Sequence, residues 1–181
     1  MKRTVITFGL ISGAIISVLM AVGLVFADRI GFDKSEVLGY TSIVLSMLMV
    51  FFGVRSYRDN VAGGAITFGR AFTVGILITA ISCVFYVLTW EILYYNFMPD
   101  FMDKYAAYAA ERAKASGASP DAVAAQIAQI QQYKKLYANP IFNAALTFLE
   151  PFPIGLAVTL ISAAILRRRR PQTQAHGVGL K

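Results

Sequence analysis

The sequence predicts an all-α integral membrane protein, a four-transmembrane-helix bundle with an extracytoplasmic helical hairpin between helices three and four. Three observations carry this. The 181 residues are 57% hydrophobic, with mean hydropathy +0.59 and only 15% charged residues, against roughly 25% charged in a soluble domain. Four apolar runs come close to or exceed the about 20 residues that a helix needs to cross a bilayer. The basic residues gather at the ends of those runs, where they flank a membrane. The net charge of +7 is therefore read as membrane topology and not as a nucleic-acid surface.

Met1-Lys2-Arg3 precede an apolar run from Thr4 to Ala27. A signal peptide has an apolar core of about 7–15 residues. This run is longer and further spans follow, so it is read as an uncleaved first span, 4–27. Gly9, Gly13, Ser17 and Ala21 recur at every fourth position along it. Small residues at this spacing stack on one face and let another helix approach closely. The expected use is packing inside the chain's own bundle, with a homo-oligomer through the same face as the alternative.

Asp28 to Glu36 reads as a short polar connection, followed by a second span at 37–55. The third span, 68–95, ends in Phe85, Tyr86, Trp90, Tyr94 and Tyr95. Amphipathic rings collect at the membrane–water interface, so this end marks an aromatic belt. Residues 96–139 form the one sizeable polar insert. Its first half is alanine-rich and helical by propensity. Gly117 suits a helix stop, and Ser119-Pro120-Asp121 supplies an N-cap, a first-turn proline and an acidic first turn. The insert is therefore expected to be two helices, about 100–116 and 120–137, broken at 117–119.

The fourth span, 141–166, carries Pro140 near its start and Glu150, Pro151 and Pro153 within it. Proline removes a backbone donor and clashes with the preceding turn, so a kink or a break is expected there. Arg167 to Arg170 close the membrane domain, 1–170, and a polar tail, 171–181, is expected to be disordered.

Charge orients the chain. With both termini inside, the inner side carries Lys2, Arg3, Arg55, Arg58, Arg70, Arg167 to Arg170 and Lys181 against one acid, Asp59. The other side balances seven basic residues with seven acids. The positive-inside rule then places both termini in the cytoplasm, with the four-arginine run on anionic lipid headgroups.

The stretch Phe51 to Phe72 joins spans two and three. It contains Tyr57-Arg58-Asp59-Asn60, then Gly63-Gly64, then Ile66-Thr67-Phe68-Gly69-Arg70-Ala71-Phe72. This region resembles the hallmark segment of the bacterial membrane family catalogued as domain of unknown function 4199. Pro99-Asp100-Phe101, which opens the helical insert, is similar as well. The resemblance runs over roughly residues 1–170. It implies a small four-span protein of the bacterial inner membrane and brings no activity, substrate, cofactor or catalytic residue with it.

Two constellations are singled out from the residues themselves. Glu150 lies about 24 Å along the helix from the inner end of span four, at about 1.5 Å per residue. A carboxylate at that depth is costly unless paired or hydrated, and intramembrane acids mark functional sites by default. Counting residues puts Tyr86, Tyr40 and Thr41 near the same level, so Glu150 is expected to face the bundle interior and meet one of these hydroxyls. Glu91, about a turn farther out, is expected at the wet interface. The second constellation is the inner turn, where Arg58, Asp59 and Arg70 could pair or form an anion site over the amides of Gly63 and Gly64.

No catalytic, cofactor-binding or metal site is expected. There is one cysteine, Cys83, inside a span, and one histidine, His176, in the tail. No Walker loop, HExxH or GxGxxG in a strand–helix setting occurs. The expected function is that of a non-enzymatic inner-membrane protein acting through helix packing and an unidentified protein partner. The alternative is a small oligomeric transporter or ion-coupled carrier that uses Glu150.

Overall fold

The computed structural model of the chain describes residues 1–168, and of residues 27–30 the backbone alone. The expected disordered tail, 171–181, lies outside the described residues. Seven helices follow one another: α1 (Lys2–Ile30), α2 (Phe32–Asn60), α3 (Phe68–Phe97), α4 (Phe101–Ala115), α5 (Pro120–Tyr137), α6 (Pro140–Leu149) and α7 (Pro151–Leu166). Four stretches are long and apolar enough to span a membrane: Lys2–Phe26, Phe32–Asn60, Phe68–Phe97 and Pro140–Leu166. The protein is a multi-pass membrane protein.

The first connection differs from the expected loop. Helix continues through most of Asp28 to Glu36 and is interrupted only at Gly31, with φ 79°. A residue without Cβ enters that region without clash, so one glycine turns the chain and no loop is needed. The second helix consequently starts earlier and ends later than the run 37–55. Hydropathy reports where a helix meets hydrocarbon; backbone hydrogen bonding carries it on into the polar zone.

Going round the bundle, α1 neighbours α2, α2 neighbours α7, α7 neighbours α3, and α3 closes on α1. The dry centre is built from Ile16, Ile43, Met47, Val50, Val54, Val74, Ile78 and Ala163. Lipid is as apolar as leucine, so such helices associate through close packing and buried polar contacts. Both occur here. The small-residue stripe of α1 meets α3: a Cβ on Gly9 would lie 2.9 Å from Ile81, and one on Gly13 would lie 2.5 Å from Phe85. One repeat further on, the Ser17 and Thr89 hydroxyls are 2.7 Å apart. A second copy of the chain would have to displace α3 to use these three positions.

Between α3 and α7 a reciprocal device operates. A Cβ on Gly75 would touch Thr159 at 2.8 Å, and one on Gly155 would touch Thr79 at 2.3 Å. Each glycine thus receives the other helix's threonine, and the Thr79 and Thr159 hydroxyls sit 3.1 Å apart. Gly-xxx-Thr stands in both helices, at 75–79 and 155–159. That repeat was a readable signal of this contact.

The insert is a helical hairpin. Gly117 takes φ 81°, and the Ser119 side chain accepts from Ala122 N at 3.2 Å. Ser119→Ala is expected to destabilise α5 by about 1 kcal/mol, the usual loss for such a cap. Amide hydrogen exchange in the first turns of α5 reads this directly; unchanged exchange would show that Ser119 does not hold the helix start.

Candidate intramembrane polar ladder

Proline decides the shape of the fourth span. Pro151 has no N–H to give to the Thr147 carbonyl, and Glu150 N reaches it instead, at a long 3.4 Å. The helix therefore breaks into α6 and α7 at Glu150, whose own backbone stays helical at φ −71°, ψ −56°. Below the break α7 packs on α2 and α3. Above it, α6 packs on α3 and α5.

That redirection lays the polar residues of α6 against those of α3. Asn143, Thr147 and Glu150 are spaced at i, i+4 and i+7 along one side. The Tyr86 hydroxyl donates to Glu150 Oε2 at 2.6 Å. Trp90 Nε1 donates to Asn143 Oδ1 at 3.2 Å, and the Thr147 hydroxyl donates to the same oxygen at 3.1 Å. The indole can only donate, which fixes the Asn143 amide with its oxygen toward Trp90. Tyr137, from α5, comes against the Thr147 hydroxyl, and burial pushes its own hydroxyl above the ordinary tyrosine range. Two buried polar atoms lack a partner among the described residues: Asn143 Nδ2 and Glu91 Oε1. Asn143 is fully buried, so its amide nitrogen is a buried donor without an acceptor among the described residues.

The sequence-predicted residues separate here. Tyr86 meets Glu150. Thr41 does not, because its hydroxyl donates to Val37 O at 2.7 Å within its own helix. Tyr40 is 46% exposed and lies within electrostatic reach of Glu150 without a hydrogen bond to it. Glu150 is also not enclosed as expected: it is an exposed residue on the rim of the ladder. The physical reason is the break, which carries α6 toward α3 and leaves the α2 side open. Glu91, expected at the wet interface, has one carboxylate oxygen buried. Asn143, Thr147 and Trp90 were not singled out as a site from sequence. The i, i+4 pair of polar residues in an apolar span was the signal for the first two.

The turn between α2 and α3 is arranged differently from an anion site. Arg58 grips Asp59 with two hydrogen bonds, 2.6 and 3.1 Å, and Arg55 stands 3.7 Å away. Arg70 is exposed and outside this group. Gly63 and Gly64 take φ 69° and 83°, but the Gly64 amide is already spent on Arg58 O at 2.8 Å. The turn is instead tied to the end of α7: Ile66 and Arg168 exchange both backbone hydrogen bonds, at 3.1 and 3.0 Å.

The family model described as Protein of unknown function (DUF4199) matches residues 7–168. The chain belongs to this family. The match takes in every helix from the first turns of α1 to the end of α7 in this DUF4199 protein, including the α2–α3 turn and the polar ladder. No curated protein and no solved structure matches it.

Proposed function

We propose that this DUF4199 protein is a non-enzymatic component of the bacterial inner membrane, with both termini cytoplasmic, that presents its α4–α5 hairpin to a protein partner on the outer face. The observation that supports this is how firmly the hairpin is fastened. Phe32 of α2 stacks on Tyr108 of α4 at 5.0 Å between ring centroids, and Tyr94 of α3 meets Tyr137 of α5 at 5.7 Å. The Tyr108 hydroxyl also donates to Asp33, which holds its proton above the usual range. Held through both of its helices, the hairpin keeps Tyr133 and Leu136 of α5 exposed, 46% and 47%. A preordered surface loses less entropy on binding than a loose one.

Two measurements test it. Alkaline phosphatase fused after Lys181 is expected to be inactive and an insertion at Gly117 active; the reverse pattern overturns the orientation. A photocrosslinker at Tyr133 is expected to give one discrete adduct in intact cells, and its absence counts against a partner at this face.

A second reading, an ion-coupled carrier, draws on the Tyr86–Glu150 hydrogen bond at the helix break. Broken helices beside an intramembrane acid are the usual setting of coupled transport. Purified protein in liposomes loaded with a pH dye decides it. Proton flux that Glu150→Gln abolishes would favour the carrier, and no flux from the wild type would sink it.

A further inference from the structure

The break at Glu150 has an effect on the other side of the bundle. Because α7 packs on α2 while α6 turns to α3 and α5, the outer half of α2 loses the fourth span as a neighbour and keeps α1. Residues 36–41 of α2 are all exposed. An open groove of about 630 Å³ runs there, along Asp33, Glu36, Val37, Tyr40, Val44 and Leu45, with Arg112 of α4 across its mouth. That volume falls within the roughly 300–1,000 Å³ of small-molecule sites.

Its lining is graded along the helix axis. Asp33, Glu36 and Arg112 stand at the outer end, Val37, Tyr40 and Thr41 follow, and Val44 and Leu45 stand deepest. A polar head above an apolar channel at the edge of the bilayer is the outline of an amphiphile. We propose that this groove holds a zwitterionic phospholipid with a primary ammonium headgroup, taken sideways from the leaflet on the α4–α5 side.

Charge selects the headgroup. Glu36 makes neither a hydrogen bond nor a close ion pair among the described residues. Asp33 Oδ1 accepts from the Tyr108 hydroxyl and faces Arg112 at 3.5 Å, both charged side chains mostly exposed, which leaves Asp33 Oδ2 for a ligand. Such an exposed ion pair is weak and rearranges readily. A primary ammonium donates three N–H bonds and suits two carboxylates, while the guanidinium fork suits the adjacent phosphate. A lipid with an anionic glycerol headgroup brings no cation to Asp33 and Glu36. A quaternary ammonium brings the charge without the N–H donors. The acyl chain lies along Val37, Val44 and Leu45, replacing the packing that α6 withdraws.

Native mass spectrometry of the detergent-purified full chain tests this by titration with phosphatidylethanolamine, phosphatidylcholine and phosphatidylglycerol. Phosphatidylethanolamine is expected to bind tightest. The Asp33→Asn/Glu36→Gln variant is expected to bind it about tenfold more weakly, as loss of charge-assisted hydrogen bonds implies. Val44→Trp, which fills the groove without changing charge, is expected to weaken all three lipids, with circular dichroism verifying the fold of each variant. Equal or tighter binding of phosphatidylglycerol overturns the proposal. So does undiminished phosphatidylethanolamine binding by either variant, or tighter binding of a simple cationic amphiphile.

Discussion

Gly155→Val is expected to destabilise the bundle by about 2–3 kcal/mol, the upper part of the range for forcing carbon into a packed core. A Cβ at this position would stand 2.3 Å from Thr79 Cγ2, 3.1 Å from Met47 Sδ and 3.2 Å from Thr79 Oγ1. α2, α3 and α7 converge there, so no single side chain can swing away to make room. Thr79 is fully buried and bonded to Thr159; moving it costs that hydrogen bond as well. Thermal unfolding in detergent measures the loss, with Gly23→Val as the control, since nothing lies within 4 Å of a Cβ on Gly23. Equal midpoints for the two variants would show that α3 and α7 do not meet as described.

Trp90→Ala is the second large effect, and it acts on the hairpin more than on the bundle. The indole lies 5.2 Å from the Phe101 ring, edge-on, and 5.8 Å from Tyr94, while its N–H holds Asn143. It therefore joins α3 to α4 and α6 at once. Removing a large aromatic from a core costs about 3–5 kcal/mol; Trp90 is half-buried, so about 2 kcal/mol is expected. Amide exchange over residues 101–137 should rise about thirtyfold, with the core of α3 unchanged. Trp90→Phe, which keeps the ring contacts and loses the donor, should fall between the two. A hairpin that exchanges at the wild-type rate without Trp90 would mean that the α2 contacts and Tyr94 hold it without the indole.

Both effects depend on contacts between helices, and this is where sequence and structure part. Span number, the hairpin break and the helix break followed from local rules. Hydropathy counts residues against bilayer thickness, glycine permits positive φ, and proline lacks a donor; each acts within a few residues of its cause. The Tyr86–Glu150 pair was within reach for a related reason, since helical rise converts residue number into depth.

Depth is one coordinate, however, and azimuth is the other. Thr41 stands at a suitable level but bonds its own helix, and Tyr40 faces the open side. Residue counting could not tell them from Tyr86, because rotation of a helix is set by what packs against it. The same holds for the stripe of Gly9, Gly13 and Ser17: its period announced close approach, and only the fold named α3 as the helix approaching. Thus the sequence by itself determined a multi-pass α-helical membrane protein with its breaks in place. Tertiary structure alone decided that the break at Glu150 turns α6 onto α3, which builds the polar ladder on one side and opens the groove along α2 on the other. Helix formation is local, whereas the direction a broken helix takes is settled by the partner that satisfies its exposed polar face.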